Sequence, residues 1–170
     1  MGLRTAVPAL RTVLWREGTA GITVAMQSVP PASAGRPIAA VLAVVIRDGQ
    51  VLLVQRANPP DAGLWGFPGG RLEFGEPVLA AAERALLEET GVKAVAKRVF
   101  TATDAVDRSE DGDPRQHFVL IAILCQWLEG EPLASDDALD ARWIPIQEME
   151  TAVHLSRDVA AVASQAAFDL

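Results

Sequence analysis

Tyrosine is absent from this 170-residue chain, cysteine occurs once, and Lys plus Arg (15) fall short of Asp plus Glu (22). A single cysteine, Cys125, excludes an intrachain disulfide and fits a reducing cytoplasm. It lies inside an apolar run, so it reads as a buried thiol and not as a nucleophile. The shortage of basic residues is uneven. Residues 1–37 hold four Arg and one Glu, which leaves eleven bases against twenty-one acids for 38–170. Such a domain is a poor general nucleic-acid binder, because phosphate contacts need clustered Lys and Arg. No apolar stretch reaches the roughly 20 residues that span a bilayer, since Arg47 and Gln126 interrupt the best candidates. A secretory leader is not expected either, because Arg11, Arg16 and Glu17 break the apolar region it would need.

What is present suffices for one folded domain with a single core. Residues 1–37, ending in a Pro, Ser and Gly-rich stretch, read as an N-terminal extension or linker. They are either disordered or precede a true start at Met26, and residues 38–170 form the domain. Ile38 to Ile46 is a nearly continuous apolar run, as for a strand buried on both faces. Asp48-Gly49 is a two-residue hairpin signal, and Gln50 to Arg56 is the return strand. Further strands are expected over Lys93–Thr103, Gln116–Trp127 and Trp143–Ile146. A closing helix is expected over Ser156–Phe168, N-capped by Ser or Asp. Asp104 to Arg115 is acidic and holds Gly and Pro. It reads either as a solvated loop or as a lid carrying Asp107, Glu110, Asp111 or Asp113 to a metal.

Gly69 to Val92 is the stretch around which the rest is arranged. Pro68-Gly69-Gly70 is a turn where backbone can approach a ligand. Pro77 is a helix start signal and Gly91 a left-handed C-terminal cap, with Ala, Leu and Glu between them. Glu88 and Glu89 are about 100° apart around that helix, so both can address one point. Arg84 lies one turn before Glu88 and can pair with it. With Glu73 and Glu76 from the loop and the Gly70 carbonyl, these make an all-oxygen site suited to Mg²⁺. Magnesium is usually completed by substrate phosphates, which points to a polyphosphate ligand.

The spacing Gly70, Glu76, Arg84, Leu86, Glu88-Glu89, Gly91-Val92 resembles the Nudix hydrolase signature G-x5-E-x7-R-E-U-x-E-E-x-G-U, where U is aliphatic. Eight of its nine specified positions match, and the ninth, a Glu after the Arg, is Ala85. The resemblance covers about 38–150. It implies an α/β fold: the α/β/α sandwich of that family, a mixed β-sheet with the signature helix on one face and the C-terminal helix on the other. It also implies hydrolysis of a nucleoside diphosphate linked to another moiety. The metal, Mg²⁺ with Mn²⁺ as a substitute, would be held by Gly70, Glu76, Glu88 and Glu89 and the glutamates oriented by Arg84. Ala85 removes a carboxylate that the family often uses as metal ligand or general base.

A segment from Gly130 to Trp143 is similar to one in the ADP-ribose pyrophosphatase subgroup. That makes ADP-ribose or a related nucleotide sugar the leading substrate class and a homodimer the implied assembly, with neither nucleic acid nor membrane as partner. Nucleoside triphosphates are an alternative substrate. A domain that binds nucleotide as a sensor without cleaving it is another alternative, favoured by Ala85. For substrate contacts the candidates are Arg56, at the end of the hairpin, Trp65, just before the glycine turn, and His117, at the start of the most apolar strand. Each has a plainer reading: an exposed Arg, a packed Trp and a hydrogen-bonded structural His.

Overall fold

Ile38–Arg47 (β1) forms the axis of the sheet, and its alternation explains its composition. Val41, Ala43 and Val45 pack on one face with Ala81, Ala82, Ala85 and Leu86 of a helix. Leu42 and Val44 pack on the other with Val159, Val162, Ala163 and Ala166 of a second helix. A strand covered on both faces has no place for a polar residue, hence the unbroken apolar run. The computed structural model describes residues 35–58, 61–135 and 138–168. The readings for residues 1–34, for Pro59-Pro60 and for Asp136-Asp137 fall outside these. Arg36–Leu170 forms a compact unit of its own.

In chain order the elements are β1, Gln50–Arg56 (β2), Trp65–Gly66 (β3), Gly69–Arg71 (β4), Val78–Thr90 (α1), Lys93–Arg108 (β5), Pro114–Glu129 (β6), Ala138–Pro145 (β7), Met149–Ala152 (α2) and Val159–Phe168 (α3). Asp48 and Gly49 both have positive φ, 51° and 74°, as a type I′ hairpin requires. The strand order is β3-β2-β1-β6-β5, with β4 on β1 and β7 on β2. β1 and β6 run parallel while the other pairs are antiparallel, so the sheet is mixed as expected. Among the described residues no helix is long and apolar enough to cross a membrane.

One departure concerns the acidic segment. Residues 104–108 and 114–115 are not loop. They extend β5 and β6 into a hairpin arm, with a tip at 109–113. Arg115 pairs with Asp107 at 3.1 Å and His117 Nε2 with Asp104 at 2.8 Å, so cross-strand polar pairs hold what composition alone assigns to a loop. A second departure is at the last helix. It begins at Val159. Of the two expected caps, the Ser156 hydroxyl makes no hydrogen bond, and Asp158, directly before the helix at φ 64°, accepts from Thr103 Oγ at 3.2 Å.

Candidate active site

β2 pairs with β1 only beside the turn, at Val51 and Gln50, and then leaves it. β4 takes the vacated edge of β1, with Ala40 to Leu42 opposite Arg71 to Gly69. Between the far end of β2 and β4 lies a polar-walled cavity of about 500 Å³. Its walls include Arg56 at the end of β2, Asn58 just beyond it, Phe67, Gly69 and Arg71 around the glycine turn, and Glu89 of α1.

The glycine turn is fixed against β1 and α1 at once. Ala43 N–H donates to the Pro68 carbonyl (2.9 Å) and Leu72 N–H to the Ala39 carbonyl (3.0 Å). The Gly69 N–H donates to Glu89 Oε2 at 3.2 Å, which ties one α1 glutamate directly to the turn. Gly70 packs over Ala85: a Cβ built on Gly70 would lie 3.5 Å from the Ala85 Cβ. Ala85 itself is buried in the α1-side core, so the position where the family carries Glu here serves packing. α1 ends in Gly91 at φ 69°, whose N–H closes on the Leu87 carbonyl, as the left-handed cap predicts.

Arg84 gathers the other acids. Its Nε and Nη2 donate to the two oxygens of Glu76, both at 2.8 Å, while Nη1 donates to Glu88 Oε2 at 3.0 Å. Nη2 also reaches the Arg71 carbonyl at 3.2 Å. This arrangement holds the Glu76 carboxyl below its ordinary value, chiefly through the Arg84 hydrogen bonds, and raises the Arg84 guanidinium further above its own. Glu76 also closes its own turn, accepting from the Glu73 N–H at 3.2 Å. With Glu76 and Glu88 both on Arg84, no three Asp, Glu, His or Cys side chains gather at metal-binding spacing among the described residues. The donors available at the turn are oxygens alone, the type a hard divalent cation takes.

Of the expected substrate residues, Arg56 lines the cavity. Trp65 and His117 do not. Trp65 is buried in the α3-side core, with the Arg142 guanidinium 5.6 Å from its ring centroid. His117 is spent on Asp104 in the hairpin arm. The acids Asp107, Glu110, Asp111 and Asp113 also lie on that arm or its tip, and none lines the cavity. Among the lining residues that the sequence does not single out are Phe67 and Arg71. Phe67 is buried with Trp65 in the α3-side core yet borders the cavity, which strand alternation does not foretell, since residues two apart share a face. Arg71 follows the signature glycine directly and places a second guanidinium on the wall, stacked 5.7 Å from the Phe118 ring centroid.

Residues 36–163 match the sequence model of a family described as NUDIX domain. The chain is similar to an ADP-ribose pyrophosphatase of Methanocaldococcus jannaschii, 34% identical over 66% of this chain and 64% of that protein. It is also similar to a CTP pyrophosphohydrolase of Escherichia coli, 47% identical over 34% of this chain and 43% of that one. These matches thus span less than two thirds of the relatives' own lengths. Among solved structures, it resembles a bifunctional NMN adenylyltransferase/ADP ribose pyrophosphatase of Francisella tularensis complexed with AMP and a Mn ion. There the TM-score is 0.64 and the identity 29%, over 81% of this chain and 43% of that one.

Proposed function

Because this chain belongs to the Nudix family, we propose that it is a divalent-metal-dependent pyrophosphohydrolase of a nucleoside diphosphate linked to a second moiety. The substrate class is ADP-ribose or a related nucleotide sugar, cleaved to a nucleoside monophosphate and a sugar phosphate. The observation that carries this is the cavity that sets two guanidiniums, Arg56 and Arg71, opposite Glu89 beside the glycine turn. Guanidiniums there attract and orient a diphosphate, whereas a carboxylate facing them would repel it unless a cation intervened. Glu88, Glu89 and the Gly70 carbonyl would hold that cation, Mg²⁺ or Mn²⁺. When bound, it neutralises the phosphate charge and makes water a better nucleophile at neutral pH.

The remaining work belongs to the chain. Arg84 fixes the Glu88 rotamer, and Glu76 acts through Arg84, since both of its oxygens are engaged there. The Gly69 N–H orients Glu89. Phe67, buried in the α3-side core, backs the cavity wall beside the diphosphate subsite. A second substrate reading, nucleoside triphosphates, is favoured by the similarity to a CTP pyrophosphohydrolase over 34% of this chain.

The test is phosphate release, through added alkaline phosphatase, from a panel of ADP-ribose, other nucleotide sugars, dinucleoside polyphosphates and nucleoside triphosphates, with Mg²⁺ and with Mn²⁺. Strong turnover of a nucleotide sugar is the expected result, and turnover of triphosphates alone would select the second reading. Silence across the panel with nucleotide binding retained by calorimetry would overturn catalysis and leave a domain that holds nucleotide without cleaving it.

A further inference from the structure

Of the three buried side-chain polar atoms with no hydrogen-bond partner among the described residues, two meet at one glycine. They are Arg56 Nε and Ser156 Oγ. A Cβ built on Gly66 would lie 3.3 Å from Arg56 Nε, 3.6 Å from its Nη2 and 3.8 Å from Ser156 Oγ. The backbone explains the meeting. β3 runs between β2 and the segment His154–Ser156, with Val54 opposite Gly66 on one side. On the other, Trp65 N–H donates to the His154 carbonyl and Ser156 N–H to the Trp65 carbonyl, both at 2.8 Å. Arg56 therefore lies across β3, over the bare Cα of Gly66, with the Ser156 hydroxyl on the far side. Ser156 is only 8% exposed, and its hydroxyl neither caps α3 nor bonds to any other described group.

A guanidinium Nε and a hydroxyl that are each buried and unpaired, with no side chain between them, are complementary donor and acceptor. Leaving both unmade is costly, so such a pair persists where another state satisfies it. We propose that Ser156 is a positioning residue for Arg56, accepting a hydrogen bond from its Nε when the guanidinium engages the substrate diphosphate. With Nε held by Ser156, the two terminal nitrogens are the edge presented to the cavity, the fork that suits paired phosphate oxygens. Gly66 is part of the device, because any side chain there would separate the two groups. The inference rests on Arg56 contacting the substrate as proposed above.

The experiment is a double-mutant cycle on the full chain: wild type, Ser156→Ala, Arg56→Ala and the double variant. Kd for ADP-ribose is read by calorimetry with Ca²⁺ in place of Mg²⁺, and Tm is read without ligand. Ser156→Ala should weaken binding about tenfold while leaving the ligand-free Tm unchanged or higher, because it removes an unpaired buried group. In the Arg56→Ala background it should have no further effect on Kd. Gly66→Ala should weaken binding in the same way, by pressing a methyl against Arg56 Nε. Wild-type affinity in Ser156→Ala, with Arg56→Ala clearly weaker, would overturn the inference and leave the role of Arg56 standing. So would a lowered Tm together with an affinity loss that persists without Arg56. Unchanged affinity in Arg56→Ala would remove Arg56 from the substrate site, and both readings would fall.

Discussion

Arg84 joins four oxygens from three residues, Glu76, Glu88 and Arg71, and so couples the loop before α1 to the carboxylates on its last turns. The consequence can be read from pH. The Glu76 carboxyl is held below its ordinary value of 4.5 in the folded protein, mainly by its hydrogen bonds from Arg84. The folded state therefore binds fewer protons than the unfolded chain. The stability this confers is complete above the unfolded value and is lost as pH falls through the folded one. Glu76→Gln should lower Tm at pH 7, and the gap to wild type should close below pH 4.5, as measured by thermal unfolding across a pH series. A gap independent of pH would mean that the charge on Glu76 is not what stabilises. The sequence shows the Arg84–Glu88 pair through its one-turn spacing. The Arg84–Glu76 pair is not readable that way, because it closes across a loop whose path depends on β4.

At the scale of the element, the glycine turn separates two glycines that look equivalent in sequence. A Cβ on Gly69 would run into the Val41 carbonyl oxygen, which is backbone and can move only with β1. A Cβ on Gly70 would meet only the Ala85 methyl at 3.5 Å, an ordinary contact. Gly69→Ala should therefore cost about 3 kcal/mol and displace the amide that holds Glu89. Gly70→Ala, at the signature position itself, should cost less than about 0.5 kcal/mol. Denaturant unfolding of the two variants checks both values, and equal costs would contradict this account of the turn. The β1–β2 hairpin and α1 were legible because turn residues, apolar runs and caps all agree there. The arm of β5 and β6 was not. Beyond Ile38, which is opposite Phe118, β6 has no β1 neighbour. Its residues and those of β5 there pair only with each other, and their polar faces look like loop.

Over the whole molecule, an acidic domain takes a dianionic linkage only if charge is rearranged locally. Residues 38–170 carry twenty-one acids and eleven bases, yet the cavity wall holds Arg56 and Arg71 against the single carboxylate of Glu89. Sequence spacing along one helix singles out Glu88 and Glu89 as the proposed metal ligands. It does not identify the cavity, because Arg56, Phe67, Arg71 and Ala138 come from separate elements brought together only when β2 diverges from β1. Our central claim is that a metal-bound nucleoside diphosphate is cleaved at this place. The most direct measurement compares Mg²⁺-dependent hydrolysis of ADP-ribose by wild type and by Glu89→Gln, with the products identified and Tm recorded for both. We predict a nucleoside monophosphate and a sugar phosphate from the wild type, with a loss of at least about 10²-fold in kcat for Glu89→Gln at an unaltered Tm. Undiminished turnover in Glu89→Gln would contradict the claim and move the metal site elsewhere.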